Sequence, residues 1–279
     1  MKGYDYITQR QVAWARRHGI KLEHHAGEDG YVANIEYNLR EPLLDSARAE
    51  LERGGRELVH GAPGEGHAYA VYSSTVLSCN FWHYWRRLDL LATPLEFCDL
   101  PATQPRRAEF EHALPRLGYQ LGTPNLDLLI TEGAGSLIGV ESKLREPYGR
   151  NEAARKDGMQ QVYLDREALW NGLAHTREYS RLTALPQSRN RHLDSSQLVK
   201  HILGLRASRR PFKMLYLWYD VPGSQGQVHR DETEEFAAAL RADGVDFSHA
   251  TYQSVIGQMA RKLRSDHMHY IDYLAERYL

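Results

Sequence analysis

The chain has 279 residues, 42% apolar and 25% charged, with a formal net charge of −1, the proportions of a globular protein able to bury a sizeable core. No apolar run approaches the roughly 18 residues of a membrane span, and the N-terminal "MKGYDYITQRQ" lacks the apolar centre of a signal peptide. Two cysteines, Cys79 and Cys98, exclude a disulfide framework, so a cytoplasmic setting is expected, with both thiols as small buried apolar groups.

Thr8 with Gln11 reads as a capping box opening a helix that stops before Gly19. Pro42 suits a helix first turn, and "LLDSARAELER" continues with helical spacing to Gly54-Gly55. "GAPGEGHA" is a glycine-rich loop without the Gly-Lys-Ser/Thr of a phosphate loop. Ser73 or Ser74 caps a helix, "TVLSCNFWHYWRRLDLL", expected to end before Pro94. Within it Asn80 needs a polar partner, and Trp82, Tyr84 and Trp85 read as core rather than as a base-stacking platform. The hairpin "PNLDLLITEGAGSLIGVESKLREPY" follows (Pro124 to Tyr148). "NEAARKDGMQQVYLDREALWNGLA" shows helical patterning broken by glycines, and "LPQSRNRHLDSS" is a polar loop. "SSQLVKHILGL" reads as a capped helix, "FKMLYLWYDV" as a buried strand and "VPGSQGQ" as a loop. "ETEEFAAALRADG" is a helix ending at Gly244. "VDFSHATYQSV" begins extended, and the remainder to Leu279 is helical. No repeat or composition break divides the chain. One domain over 1–279 is therefore expected, with an N-terminal helical region to about residue 60 and a core from about 61 on. Mixed strands and helices make the fold class α/β or α+β.

The hairpin carries the chemistry. With a Gly133-Ala134-Gly135 turn, Glu132 faces Ser136, and counting outward sets Asp127 opposite Glu141. Directly opposed residues have Cβ atoms about 5 Å apart on one face. Lys143, two residues on, projects from that same face. Leu126, Leu128, Ile130, Ile138 and Val140 make the other face, so one side packs on a core and the other presents acid, acid and base. Opposed like charges destabilise a sheet, and a hard divalent cation such as Mg²⁺ resolves the repulsion. The Ser142 carbonyl offers a further oxygen, and Lys143 can orient or deprotonate a water or offset charge on phosphorus. The bland alternative is a surface network in which Lys143 pairs both acids.

This stretch resembles the PD-(D/E)XK nuclease superfamily. Pro124…Asp127 stands in the first half-motif and Glu141-Ser142-Lys143 in the second, although the proline and the aspartate are not adjacent. The likeness extends, over roughly residues 30–260, to a bacterial restriction-endonuclease-like group, through "YSSTVLSCNFWHYW" (Tyr72–Trp85), "SSQLVKHILGL", "KMLYLWYD" and "ATYQSV". It implies a central mixed sheet flanked by helices, Mg²⁺ (or Mn²⁺) held by Asp127 and Glu141, and Lys143 as catalytic. It also implies an acid from a helix before the core, for which Glu57 is the candidate, with Glu50 and Glu52 as rivals.

The expectation is a metal-dependent endodeoxyribonuclease of restriction or phage-defence type, with RNA also admitted as substrate. Ser73, Ser74, Arg145, Lys156 and Gln160 are the candidate nucleic-acid contacts, and a homodimer is expected because cutting a duplex asks for two sites. Local charge agrees: Arg177 to Lys213 carries nine Lys/Arg against two acids. The rivals are a non-cleaving nucleic-acid-binding protein on the same fold and a carbohydrate hydrolase using the two acids, in which Lys143 has no role.

Overall fold

The two apolar runs of the hairpin are neighbouring strands, β4 (Asn125–Glu132) and β5 (Leu137–Lys143), at the centre of a five-stranded sheet. The computed structural model describes residues 1–25, 27–54, 66–100, 104–118, 121–149 and 159–279. Glu57 and Lys156 lie outside the described residues. The sheet order is β3 (Pro105–Ala113), β4, β5, β6 (Phe212–Trp218), β7 (Phe247–Thr251). β3, β4 and β5 form an antiparallel meander, whereas β5, β6 and β7 are parallel. Parallel neighbours need crossovers, and helices supply them. From β5 to β6 the chain passes through α5 (Gln161–Leu164), α6 (Ala174–Ala184) and α7 (Ser195–Ala207); from β6 to β7 it passes through α8 (Ser224–Ala242).

Helices cover both faces, so the fold is mixed α/β with a mixed central sheet, compatible with a restriction-endonuclease-like core. On one face Leu128, Ile130, Ile138 and Val140 meet Phe81 and Trp82 of α3 (Ser74–Arg87) and Val255 and Ile256 of α9 (Tyr252–Lys262). On the other, Leu129, Leu137 and Met214 meet Leu198 and Ile202 of α7 and Phe236 of α8. Period-two alternation explains the sorting, since successive side chains point to opposite faces.

Two glycines bring α7 close to the sheet. A Cβ at Gly139 would stand 2.9 Å from Leu205 Cδ1 and 3.1 Å from Leu126 Cδ1, and one at Gly204 would stand 2.9 Å from Leu114 Cδ1. Leu126 packs with this α7 side, not with Leu128 and Ile130 as its parity predicts. At the turn, Gly135 takes φ +87°, and Glu132 N–H donates to Ser136 O as the register requires.

Several boundaries move. α1 (Gly3–Arg17) starts well before Thr8, whose hydroxyl instead donates to the Tyr4 carbonyl inside the helix. The Gly3 N–H finds its acceptor in Gln225 Oε1, 222 residues away, at 2.6 Å. α8 begins at Ser224, so only the first half of "VPGSQGQ" is loop. α2 spans Asp45–Arg53, leaving Pro42 ahead of its first turn. α3 stops at Arg87, where Asp89 adopts φ +58°, and Pro94 falls inside α4 (Ala92–Glu96). The N-terminal region also holds a two-stranded ribbon, β1 (Glu23–His25) and β2 (Glu28–Tyr31). α10 (Arg264–Tyr278) packs on α9, α3 and α1. Trp82 and Trp85 are core, and Asn80 bonds to the Asn38 carbonyl, Tyr278 OH and the Arg40 N–H. Cys79 and Cys98 are buried free thiols, and burial pushes both far above the ordinary thiol range. No helix among the described residues is long and apolar enough to cross a membrane.

Candidate active site

The β4–β5 ladder runs from Thr131–Leu137 to Leu128–Val140, and the next positions outward are Asp127 and Glu141. The register counted from the turn is therefore the one that forms. Asp127 Oδ2 accepts the Ser142 N–H at 2.6 Å, tying the acid across to β5. Lys143 Nζ lies 2.6 Å from Glu141 Oε1. Ser142 turns its hydroxyl to the opposite face, 2.6 Å from Tyr252 OH.

The setting differs from the open hairpin face expected from the sequence. Glu141 is 1% exposed, because α7 lies over its face and β6 flanks β5. A surface network is thus replaced by a buried ion pair. Burial raises the Asp127 carboxyl well above the usual range, and the nearby Glu141 charge raises it further. Burial lifts Glu141 to about 7, against the lowering pull of Lys143. Burial opposes the Lys143 ammonium, but Glu141, Asp127 and Glu146 outweigh it and hold the amine above the ordinary lysine range. His201, on α7, places Nδ1 3.6 Å from Glu141 Oε2. Its burial and the charges of Lys143 and Lys200 push the ring down to about 3, so it is neutral.

Asp127 and Lys143 open onto a cavity of about 470 Å³. Ser73 and Ser74, at the α3 N-terminus, and Arg145 line the same cavity, so these sequence candidates converge. Ser73 is also the cap, accepting the Val76 N–H. The Arg145 guanidinium sits 3.5 Å over the Tyr72 ring and 2.9 Å from Glu28, a fixed cation rather than a mobile arm. Gln160 is exposed ahead of α5 and is not among the described residues lining this cavity. Glu50 is committed elsewhere: Arg86 grips it at 2.6 and 3.0 Å, and it accepts the Phe110 N–H. Glu52 is exposed on α2.

Sequence reasoning missed two acids that reach the cavity, Glu111 and Glu146. Glu111 of β3 lies beside Asp127, bracketed by the Phe110–Leu128 and His112–Leu126 pairs, and Asn125 bonds to its carboxylate. The sequence does not announce "PRRAEFEHA" as a strand, because charged residues fill four of its nine positions; the alternation of Ala108 and Phe110 is the available signal. Gln197, from the first turn of α7, also lines the cavity.

Among the described residues, no three His, Cys, Asp or Glu groups already form a cage for a metal ion. The donors present still suit a hard cation. Glu141 Oε2 has no hydrogen-bond partner among the described residues, and Mg²⁺ commonly takes one or two carboxylates and completes its shell with waters and phosphate oxygens.

The sequence model of a family described as restriction endonuclease associating with ARP matches residues 8–279. The chain belongs to that family. No curated protein and no solved structure matches it. Membership in a restriction endonuclease family makes nuclease the activity class against which the two acids and the lysine are read.

Proposed function

We propose that this chain is a metal-dependent endodeoxyribonuclease of the PD-(D/E)XK kind, hydrolysing DNA phosphodiesters at the cavity that Asp127 and Lys143 line and Glu141 backs. The observation that carries this is the grouping itself: a buried glutamate, a half-buried aspartate and an ammonium at the open end of one strand ladder, in a family of restriction endonucleases. Asp127 and Glu141 would hold Mg²⁺, with the Ser142 carbonyl as a further donor and Mn²⁺ as a substitute. A bound divalent ion supplies a Lewis acid for the phosphoryl oxygen and a more acidic water.

The chain's own groups supply the rest. Lys143, held as an ammonium, offsets charge gathering on phosphorus and orients the attacking water rather than taking its proton. The α3 N-terminus contributes the positive end of its dipole on the same cavity, where a phosphate is favoured. Ser73 caps the helix backbone there, Ser74 lines the cavity beside it, and Arg145 adds a fixed positive charge. The basic stretch from Arg177 to Lys213 supplies nonspecific phosphate contacts, so binding weakens as salt rises. A homodimer would present one site to each strand of a duplex.

The test is incubation of supercoiled plasmid and matched RNA with the protein in Mg²⁺, Mn²⁺ or EDTA, beside Lys143→Met. Nicking that needs the divalent ion and disappears in a Lys143→Met variant with native circular dichroism is the expected result. Gel-shifted but intact DNA under every condition would instead mark a non-cleaving binding protein, and preferential loss of the RNA would move the substrate.

A further inference from the structure

Glu141 is gripped from two sides, and the second side belongs to neither strand of the hairpin. Lys143 Nζ meets Oε1 at 2.6 Å. Oε2 faces His201 Nδ1 at 3.6 Å across the α7–β5 interface. His201 is 2% exposed, and its Nδ1 has no hydrogen-bond partner among the described residues. A buried ring nitrogen without a partner is costly and uncommon. Here it is aimed at a carboxylate oxygen that likewise lacks a hydrogen bond among the described residues.

The arrangement is specific to this helix placement. Gly139 lets α7 approach β5, since an added Cβ there would stand 2.9 Å from Leu205 Cδ1, and Gly204 seats the same helix against Leu114 and Pro124. Gln197, four residues before His201, shares its helix face and reaches the cavity that Lys143 lines. One face of α7 thus addresses both the cavity and the carboxylate behind it.

We propose that His201 is a positioning residue for Glu141: its Nδ1–H donates to Oε2 and keeps Oε1 turned toward Lys143, where a cation would be shared with Asp127. A neutral imidazole suits this role, since it fixes orientation without competing for the carboxylate's charge. Groups that orient metal-binding carboxylates and imidazoles typically change metal affinity by 10–100-fold when removed. The inference rests on the metal-dependent nuclease proposed above.

Titration calorimetry with Mn²⁺ alone, on the full chain without DNA, tests it. His201→Leu keeps the bulk and removes the donor. His201→Asn places an amide N–H near the Nδ1 position, whereas His201→Gln carries its amide one methylene further. The expected result is Mn²⁺ affinity about 10-fold weaker for Leu and Gln and within about 3-fold of wild type for Asn, with thermal unfolding in EDTA similar for all three. Should His201→Leu fail to fold, the Asn–Gln contrast decides alone. Wild-type Mn²⁺ affinity in the Leu or Gln variant, or equal losses in Asn and Gln, overturns the role of His201 while leaving the metal site standing. A wild-type protein that takes up no Mn²⁺ overturns the metal site and this role with it.

Discussion

Replacing Glu141 by glutamine removes a charge that the fold holds at 1% exposure with one ammonium beside it. Burial moves that carboxyl from its ordinary 4.5 to about 7 even with Lys143 in place. An acid raised on folding favours the protonated native state, so its contribution is fully present below pH 4.5 and is lost as pH climbs through 7. At roughly 1.4 kcal/mol per tenfold, the displacement corresponds to about 3 kcal/mol above pH 8. Glutamine has nearly the same shape and no charge to desolvate. Glu141→Gln is therefore expected to gain about 1–3 kcal/mol of stability at pH 8 in EDTA, discounted for imperfect amide bonding, and close to nothing at pH 4.5. The same variant should cut no DNA. Urea unfolding of both proteins at the two pH values, in EDTA, measures the difference. A loss of stability at pH 8, or an equal gain at both pH values, would refute the claim that the carboxylate is retained at a thermodynamic cost.

Other consequences concern the scaffold. Gly139→Ala drives a Cβ to 2.9 Å from Leu205 and 3.1 Å from Leu126, so it should cost about 1–3 kcal/mol by thermal unfolding and reduce cleavage, because α7 must retreat from Glu141. Arg277 is 1% exposed and donates to Asn38 O and Oδ1, Val71 O and Gln11 Oε1, joining α10 to α1 and to the chain before α3. Arg277→Met should cost about 3–5 kcal/mol in urea unfolding; a loss under 1 kcal/mol contradicts that role. Asp243 accepts His175 N–H and Nδ1 at 3.1 and 2.9 Å and Thr176 N–H and Oγ1 at 2.7 Å, tying the end of α8 to the start of α6. Burial works to raise its carboxyl, but these Thr176 and His175 bonds outweigh it and lower it below 3.8. Asp243→Ala should thus lose about 1–3 kcal/mol at pH 7, with the gap to wild type narrowing as pH falls below 3.8, read from unfolding midpoints.

The sequence by itself determined the hairpin, its register and the proximity of Asp127, Glu141 and Lys143. Alternating apolar residues and a glycine turn act over fewer than about twenty neighbouring positions, so the pattern and the pairing are written in one stretch. It also determined the cap at Ser73 and the identity of β6, whose apolar run suits a strand buried on both faces. Only the tertiary structure decided that Glu141 is buried and Asp127 half-buried, since that depends on α7, more than fifty residues beyond β5, closing over their face. It likewise decided that Glu111, in a strand too charged to be read as one, stands beside Asp127, and that His201 faces Glu141. The start of α1 belongs to the same class, because its acceptor is Gln225. Local pattern reports which residues share a face; what covers that face depends on contacts between segments that are distant in the chain and leave no periodic trace in it.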